Sequence, residues 1–538
     1  MSFEVRGRDI LARLGRIKTK SGTIETPILL PVINPAIQLI SPKTMRKELG
    51  CKAVITNAYI LKKQMGEEVV ESGIHRHLDF EGVIMTDSGA YQILVYGKVD
   101  VTPSEIVHYQ EQISTDIGTI LDIPTNWHAT KDHAKHTVDE TIKRAKQLAK
   151  IKTRDDILWV VPVQGGRYLD LVAHSAKQVG ELPAQIHALG SPTTIMEQYL
   201  FDTLIEMILS AKMNTPSQRP FHLFGAGHPF MLALAIALGC DMFDSAAYAI
   251  YARQNRYMTG YGTARLKKLE YFPCSCPICA NNTPKDVIDM PQQQRQEALA
   301  KHNLYASFTE LKHIKQTIVE GRLWEYLEAR AHVHPALLQA LKRLKKYEDY
   351  IECQSPVTKK SGLFFFSNLG LMRPEIVHYR KRFKERYLPP KEAKILILLP
   401  QSSKRPYHKA KEVKSLVKKI QQKFPKKSAF FHICIYAVPF GIIPLELDEV
   451  YPLSQHEITK PFDLETMNYV AKQVKKYISA SSYKEIVLVE DSTWKNRIST
   501  TCKLIMRKDL SISVFGLKEM LNEKVFDDIV ETLQKMTI

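Results

Sequence analysis

Cys274, Cys276 and Cys279 stand together in the stretch YFPCSCPICANN, residues 271–282. Thiolates two and three residues apart converge on one small cation from a tight loop, and zinc takes four such ligands in a tetrahedron. The nearest histidine downstream is His302, in the helical-looking run QQQRQEALAKHNLYASF, which completes the pattern C-x-C-x2-C-x22-H. A more distant histidine is the other candidate for the fourth ligand. Four protein ligands leave no coordination position open for water or substrate, so the expected ion, one zinc per chain, is structural. The alternative is a chance gathering of cysteines beside a free histidine, against which Pro273 and Pro277 shape the loop into a knuckle.

A second set of polar residues suggests different chemistry. Asn57, Asp87, Asp122, Gln164, Gly190, Gly225 and Asp244 close short apolar or β-branched runs, which with TPILLPV are CKAVITN, GVIMTD, TDIGTILD, ILWVVPVQ, AQIHALG, FHLFGAG and CDMFDS. Helical patterns separate these runs. Eight such βα units predict an α/β fold, a (β/α)8 TIM-type barrel. In that fold the active site lies at the C-terminal face, so residues closing the strands meet at one cavity. Three carboxylates on one rim, with the glycine turns GAGHP and QGG permitting close backbone approach, suit a small polar ring rich in hydrogen-bond donors. Against that stands a simpler role: Asp87 and Asp244 are each followed by serine, as in residues that cap the next helix or turn.

The chain of 538 residues exceeds what one hydrophobic core supports, and two to four domains are expected. A net charge of +18 favours a polyanionic partner, nucleic acid first. The opening MSFEVRGRDILARLGRIK carries charges where a secretory signal needs an apolar core, which predicts a cytoplasmic protein. The apolar runs MLALAIAL (231–238) and AFFHICIYAVPFGII (429–443) are too short, or too broken by His432 and Pro439, to span a bilayer. Cys51, Cys240, Cys353, Cys434 and Cys502 are scattered singly, as in a reducing compartment.

The stretches NAYIL (57–61), MTDSGAYQ (85–92), VQGG (163–166), LFGAGHP (223–229) and DMFDSAAYAIYA (241–252), with the cysteine cluster and its distant histidine, resemble the tRNA-guanine transglycosylases. The resemblance covers roughly residues 1–380. HPALLQALKRLKKYEDYIE, SPVTKKSGLFFF and LMRPEIVHYRKRF look like the archaeal branch, which makes the archaeosine precursor. The resemblance implies exchange of guanine at position 15 of the tRNA D-loop for 7-cyano-7-deazaguanine, by double displacement through a covalent aspartyl–ribosyl intermediate. It implies Asp244 as nucleophile, and Asp87 as general acid/base facing the base. Asp122 and Gln164 would bond the purine edge, the main chain at Leu189 and Gly190 would complete recognition, and Tyr91 and Phe224 would stack on either side of the ring. It further implies a homodimer, and a structural zinc remote from the exchanging base. One departure is ALGSP, where Ser191 replaces the second of the family's usual paired glycines and would tighten the pocket or shift its preference.

The chain is divided by its sequence into a catalytic barrel over 1–350 with a zinc subdomain at 271–310, a connecting segment at 351–392, and an accessory α/β domain at 393–538. The last contains strand-like ILILLP, FFHICIYAV and EIVLVE and resembles a domain shared with archaeosine synthases, the amidine-forming enzymes of the next step. Gln401 and Lys409 to Lys414 occupy the loop where synthases carry a cysteine and a Ser/His signature, so the module is expected to bind tRNA or act as a spacer. No RNA-binding PUA domain is evident; the protein either works without one or takes it from a separately encoded partner. The basic stretches 342–347 and 411–427 either contact phosphates or are solvated helix faces. The alternatives to an exchange enzyme are a non-catalytic tRNA-binding subunit on the same fold, disfavoured by Asp87, Asp122 and Asp244 together, and an archaeosine synthase.

Overall fold

The computed structural model of the protein describes residues 3–92, 100–505, 507, 509–517 and 523–537. It divides into two compact units, Met1–Lys346 and Tyr347–Ile538.

In the first unit, β4 (Ile28–Ile33), β5 (Ala53–Asn57), β6 (Val83–Asp87), β7 (Ile117–Thr119), β8 (Leu158–Val163), β9 (Ile186–Leu189), β10 (Phe221–Leu223) and β11 (Met242–Ser245) form a closed barrel in chain order. Every pairing is parallel, and β11 closes on β4. Each of the eight apolar runs in the sequence supplies one strand. In β5 and β6 every residue but the last is buried, which is why these strands read as continuous apolar runs rather than alternating ones. The exceptions, Asn57 and Asp87, are register partners at the C-terminal rim.

A three-stranded antiparallel sheet precedes the barrel: β1 (Phe3–Asp9), β2 (Ala12–Thr19) and β3 (Gly22–Thr26). Its Phe3, Ile17 and Ile24 share one buried cluster with the barrel residues Leu30, Ile55, Met85 and Met242. Two aspartates just ahead of barrel strands tie it there. Asp241, before β11, pairs with Arg13, and Asp116, before β7, accepts from the Ser21 amide. The sheet therefore plugs the N-terminal mouth, leaving the opposite mouth as the open one.

Beyond the barrel, β12 (Arg256–Thr259) and β13 (Gly262–Arg265) make a hairpin, followed by a helix at Gln292–Glu320. The apolar run 231–238 is almost all within the helix Pro229–Ala237, every residue of which is buried, packed against the helices Gln292–Glu320 and Leu323–Ala331. Its all-round hydrophobicity is that of a core helix. Among the described residues no helix is long and apolar enough to cross a membrane.

The second unit has its own five-stranded sheet, built from β15 (Ile395–Pro400), β16 (Phe431–Ala437), β17 (Gly441–Pro444), β19 (Glu485–Asp491) and β20 (Ser511–Leu517) in the order β17-β16-β15-β19-β20. Only the edge strand β17 is antiparallel. A small parallel pair joins β14 (Leu363–Phe364) to β18 (His456–Glu457). Leu363, Phe365 and Ile376, within the segment 351–392, are buried in this unit's core.

Candidate active site and metal centre

The open mouth of the barrel holds a cavity of about 840 Å3 lined by Asp87, Tyr91, Asp122, Gln164, Gly190, Phe224 and Asp244, among others. Each comes from a strand end or the loop just after it, so closure of the barrel alone brings together residues up to 157 positions apart. Tyr91 is 52% exposed, whereas Phe224 is half-buried.

Asp244 Oδ1 accepts two hydrogen bonds, from His222 Nε2 at 2.8 Å and from the Gly225 amide at 2.9 Å. Gly225 sits at φ +68, a left-handed conformation that glycine adopts without steric cost, and this turn aims its amide back at the carboxylate. Asp244 does not cap the helix Ala247–Arg253, which has no side-chain cap; the Ala247 amide donates instead to Ser245 Oγ. Asp87 Oδ2 accepts from Asn57 Nδ2 at 3.4 Å, and the neighbouring Gly89 and Ser88 amides favour its charged form. Burial, reinforced by the charges of Asp122 and then Asp244, pushes its carboxyl up to about 7. Burial likewise raises Asp122 to about 6, against the opposing hydrogen bond from Gln164.

Asp122 and Gln164 are joined directly: Gln164 Nε2 donates to Asp122 Oδ2 at 2.5 Å. Gln164 Oε1 in turn accepts from the Thr125 amide and from Ser191 Oγ, both at 3.1 Å. A Cβ on Gly190 would lie 2.2 Å from Gln164 Nε2, so the glycine is required by this packing. The Gly190 amide donates to the Val163 carbonyl at 2.9 Å, which commits it to the barrel wall rather than to a ligand. Leu189 is buried and does not line the cavity.

Away from this cavity, Cys274, Cys276, Cys279 and His302 place one ligand atom each within 4.8 Å of one another. Cys276 Sγ is 3.6 Å from Cys279 Sγ and 3.5 Å from His302 Nδ1, and Cys279 Sγ is 3.4 Å from the same nitrogen. Metal–sulfur bonds of about 2.3 Å in a tetrahedron set ligands about 3.7 Å apart, so the donors are spaced for a single ion. His302 Nε2 donates to the Met258 carbonyl at 2.9 Å, fixing the tautomer that leaves Nδ1 free to coordinate. Tyr257 stacks on the imidazole at 3.6 Å. The cluster could hold one metal ion, and none of its four residues lines the barrel cavity.

A family model described as Queuine tRNA-ribosyltransferase matches residues 9–336. The chain belongs to this family. A second model, described only as a domain of unknown function, matches residues 376–527. A tRNA-guanine(15) transglycosylase of Saccharolobus solfataricus is 44% identical over 90% of this chain and 96% of its own length. Proteins of the same name from Methanocaldococcus jannaschii and Pyrobaculum aerophilum are each 42% identical, over 86% and 85% of this chain and 70% and 90% of theirs.

Within this tRNA-ribosyltransferase-family chain, the fold also brings to the site several residues that no site motif in the sequence marks. His222 is one, reaching the site through its bond to Asp244; Tyr199, Tyr261 and His334 line the cavity. His222 carried one faint signal, an imidazole inside the short buried run FHLF. His334 lies 90 residues beyond Asp244, with nothing local to mark it.

Proposed function

We propose that this protein exchanges guanine 15 of tRNA for 7-cyano-7-deazaguanine by double displacement at Asp244. The observation that carries this reading is the convergence of Asp87, Asp122 and Asp244 with Gln164 on one cavity in a chain of this family. Asp244 attacks the anomeric carbon of the ribose while the bond to guanine breaks, its electron pair passing to the base nitrogen. Asp87 supplies the proton that the departing guanine needs. With its carboxyl near 7 it carries that proton in a large share of molecules at neutral pH. The incoming base gives its proton back to Asp87 as its nitrogen attacks the ribose and displaces Asp244, so atoms and charge balance over the cycle.

Asp122 and Gln164 offer a hydrogen-bonding edge to the purine, and Tyr91 and Phe224 provide ring faces on which it stacks, the base having been swung out of the folded tRNA. Cys274, Cys276, Cys279 and His302 hold zinc, which with four protein ligands supports the fold and takes no part in exchange.

The test is incorporation of labelled guanine and of labelled 7-cyano-7-deazaguanine into unmodified tRNA transcript. The wild type is expected to incorporate both. Asp244→Asn should bind tRNA within about threefold of wild type yet lose at least about 10³-fold in rate, as expected on removal of a covalent nucleophile. Tight tRNA binding without incorporation by the wild type would turn the assignment to a non-catalytic subunit.

A further inference from the structure

His222 lies wholly buried in the middle of β10, between the buried Phe221 and Leu223. An imidazole in such a place is costly unless its polar atoms are paired. Its Nε2 is bonded to Asp244 Oδ1 at 2.8 Å, while its Nδ1 has no hydrogen-bond partner among the described residues. The ring packs against Phe224, centroids 4.5 Å apart. Among the described residues the histidine thus has a single polar attachment, and that attachment is a carboxylate that lines the cavity.

The geometry also distinguishes the two oxygens of Asp244. Both donors, His222 Nε2 and the Gly225 amide, end on Oδ1; no hydrogen bond to Oδ2 is present among the described residues. We propose that His222 is a positioning residue that clamps Oδ1 and so leaves Oδ2 as the oxygen that bonds the ribose, an inference that rests on Asp244 being the nucleophile. In the first displacement an Oδ2 lone pair forms the bond to the anomeric carbon as the bond to guanine breaks. In the second that bond returns its electron pair to the carboxylate while the nitrogen of the incoming base takes its place. The charge regenerated on Asp244 is shared with Oδ1, where Nε2–H and the Gly225 N–H already point. A donor aimed in advance at developing charge stabilises the transition state more than the bound substrate, so the effect belongs in kcat.

His222→Phe keeps a planar ring and removes the donor, whereas His222→Gln keeps an N–H at a similar reach. The phenylalanine variant is expected to lose about 10²-fold in kcat for base exchange, the usual scale for one preorganised donor, with KM for tRNA within about twofold. The glutamine variant should recover to within about tenfold of wild type. The rate at which added base discharges the covalent protein–tRNA complex, followed on a denaturing gel, should fall by the same factor as kcat, while the rate at which the complex appears should not fall. Equal losses in both variants, an effect on KM alone, or no effect in either would overturn the clamp. If the phenylalanine variant fails to fold by circular dichroism, His222→Asn, whose shorter amide falls short of Oδ1, takes its place with the same expectation. Asp244→Asn run alongside separates the two claims: exchange surviving in that variant would sink the nucleophile assignment rather than the clamp.

Discussion

At the scale of the residue, two carboxyl groups of the site are pushed upward by burial, Asp87 to about 7 and Asp122 to about 6. Asp87 is the clearest case, raised to about 7 by burial and by the charges of Asp122 and Asp244. Its folded-state value exceeds the unfolded one of about 3.9, so whatever stability its protonated form contributes is complete below the unfolded value and lost as pH rises towards 7. Asp87→Asn should remove that slope. Wild type and variant, matched by denaturant melts at pH 4, should diverge between pH 4 and 7 by up to about 1.4 kcal/mol per pH unit, the variant being the more stable at pH 8. Parallel curves would mean that Asp87 is ionised like a surface carboxylate. Ser191 shows a related local compromise. It sits at φ +58, where a residue with a Cβ costs about 1–2 kcal/mol, and its hydroxyl donates to Gln164 Oε1. The serine thus keeps the left-handed backbone shape typical of glycine while adding a constraint on Gln164, which lines the cavity.

At the scale of the element, function follows from where strands stop. The rim residues are the polar ends of strands whose interiors are apolar, and the same strands carry stabilising groups at their other ends. CDMFDS contains both kinds: Asp241 is sealed against Arg13 beside the N-terminal sheet, while Asp244, three residues on, faces the cavity. The Cys3His cluster lies between elements, joining the loop at 274–279 to the long helix through His302 and to the hairpin through Tyr257 and the Met258 carbonyl. Metal analysis of the purified protein should find one zinc per chain. Cys276→Ala should lose it and melt at least about 5 °C lower, since binding free energy at a structural site is folding free energy. Full metal content in that variant would remove Cys276 from the ligand set.

At the scale of the whole molecule, the excess of positive charge is the property that most affects the encounter with tRNA. A chain with a net charge of +18 gains affinity by releasing counterions from phosphates. The affinity for tRNA should therefore fall linearly with salt on logarithmic axes, by at least about tenfold between 50 and 200 mM, measured by filter binding. A flat dependence would mean that few phosphates are contacted.

Legible in the amino-acid sequence alone are the eight strands, their order and polar ends, and the four candidate metal ligands. Each is encoded locally: a strand of a parallel barrel is a short apolar run, and three of the four ligands lie within six residues. The accessory module's strands ILILLP, FFHICIYAV and EIVLVE were legible for the same reason. What each rim residue does with its hydrogen bonds follows from the folded arrangement of the strands and not from local sequence. His222 meets Asp244 because β10 and β11 are neighbours, Gln164 meets Asp122 across β7 and β8, and the Gly190 amide is spent on Val163. The segment 351–392, which reads as a connection, gives Leu363, Phe365 and Ile376 to a core whose other members lie far along the chain. Strand adjacency and barrel closure are long-range properties, and a partner brought close by closure leaves no trace in the residues beside it in sequence.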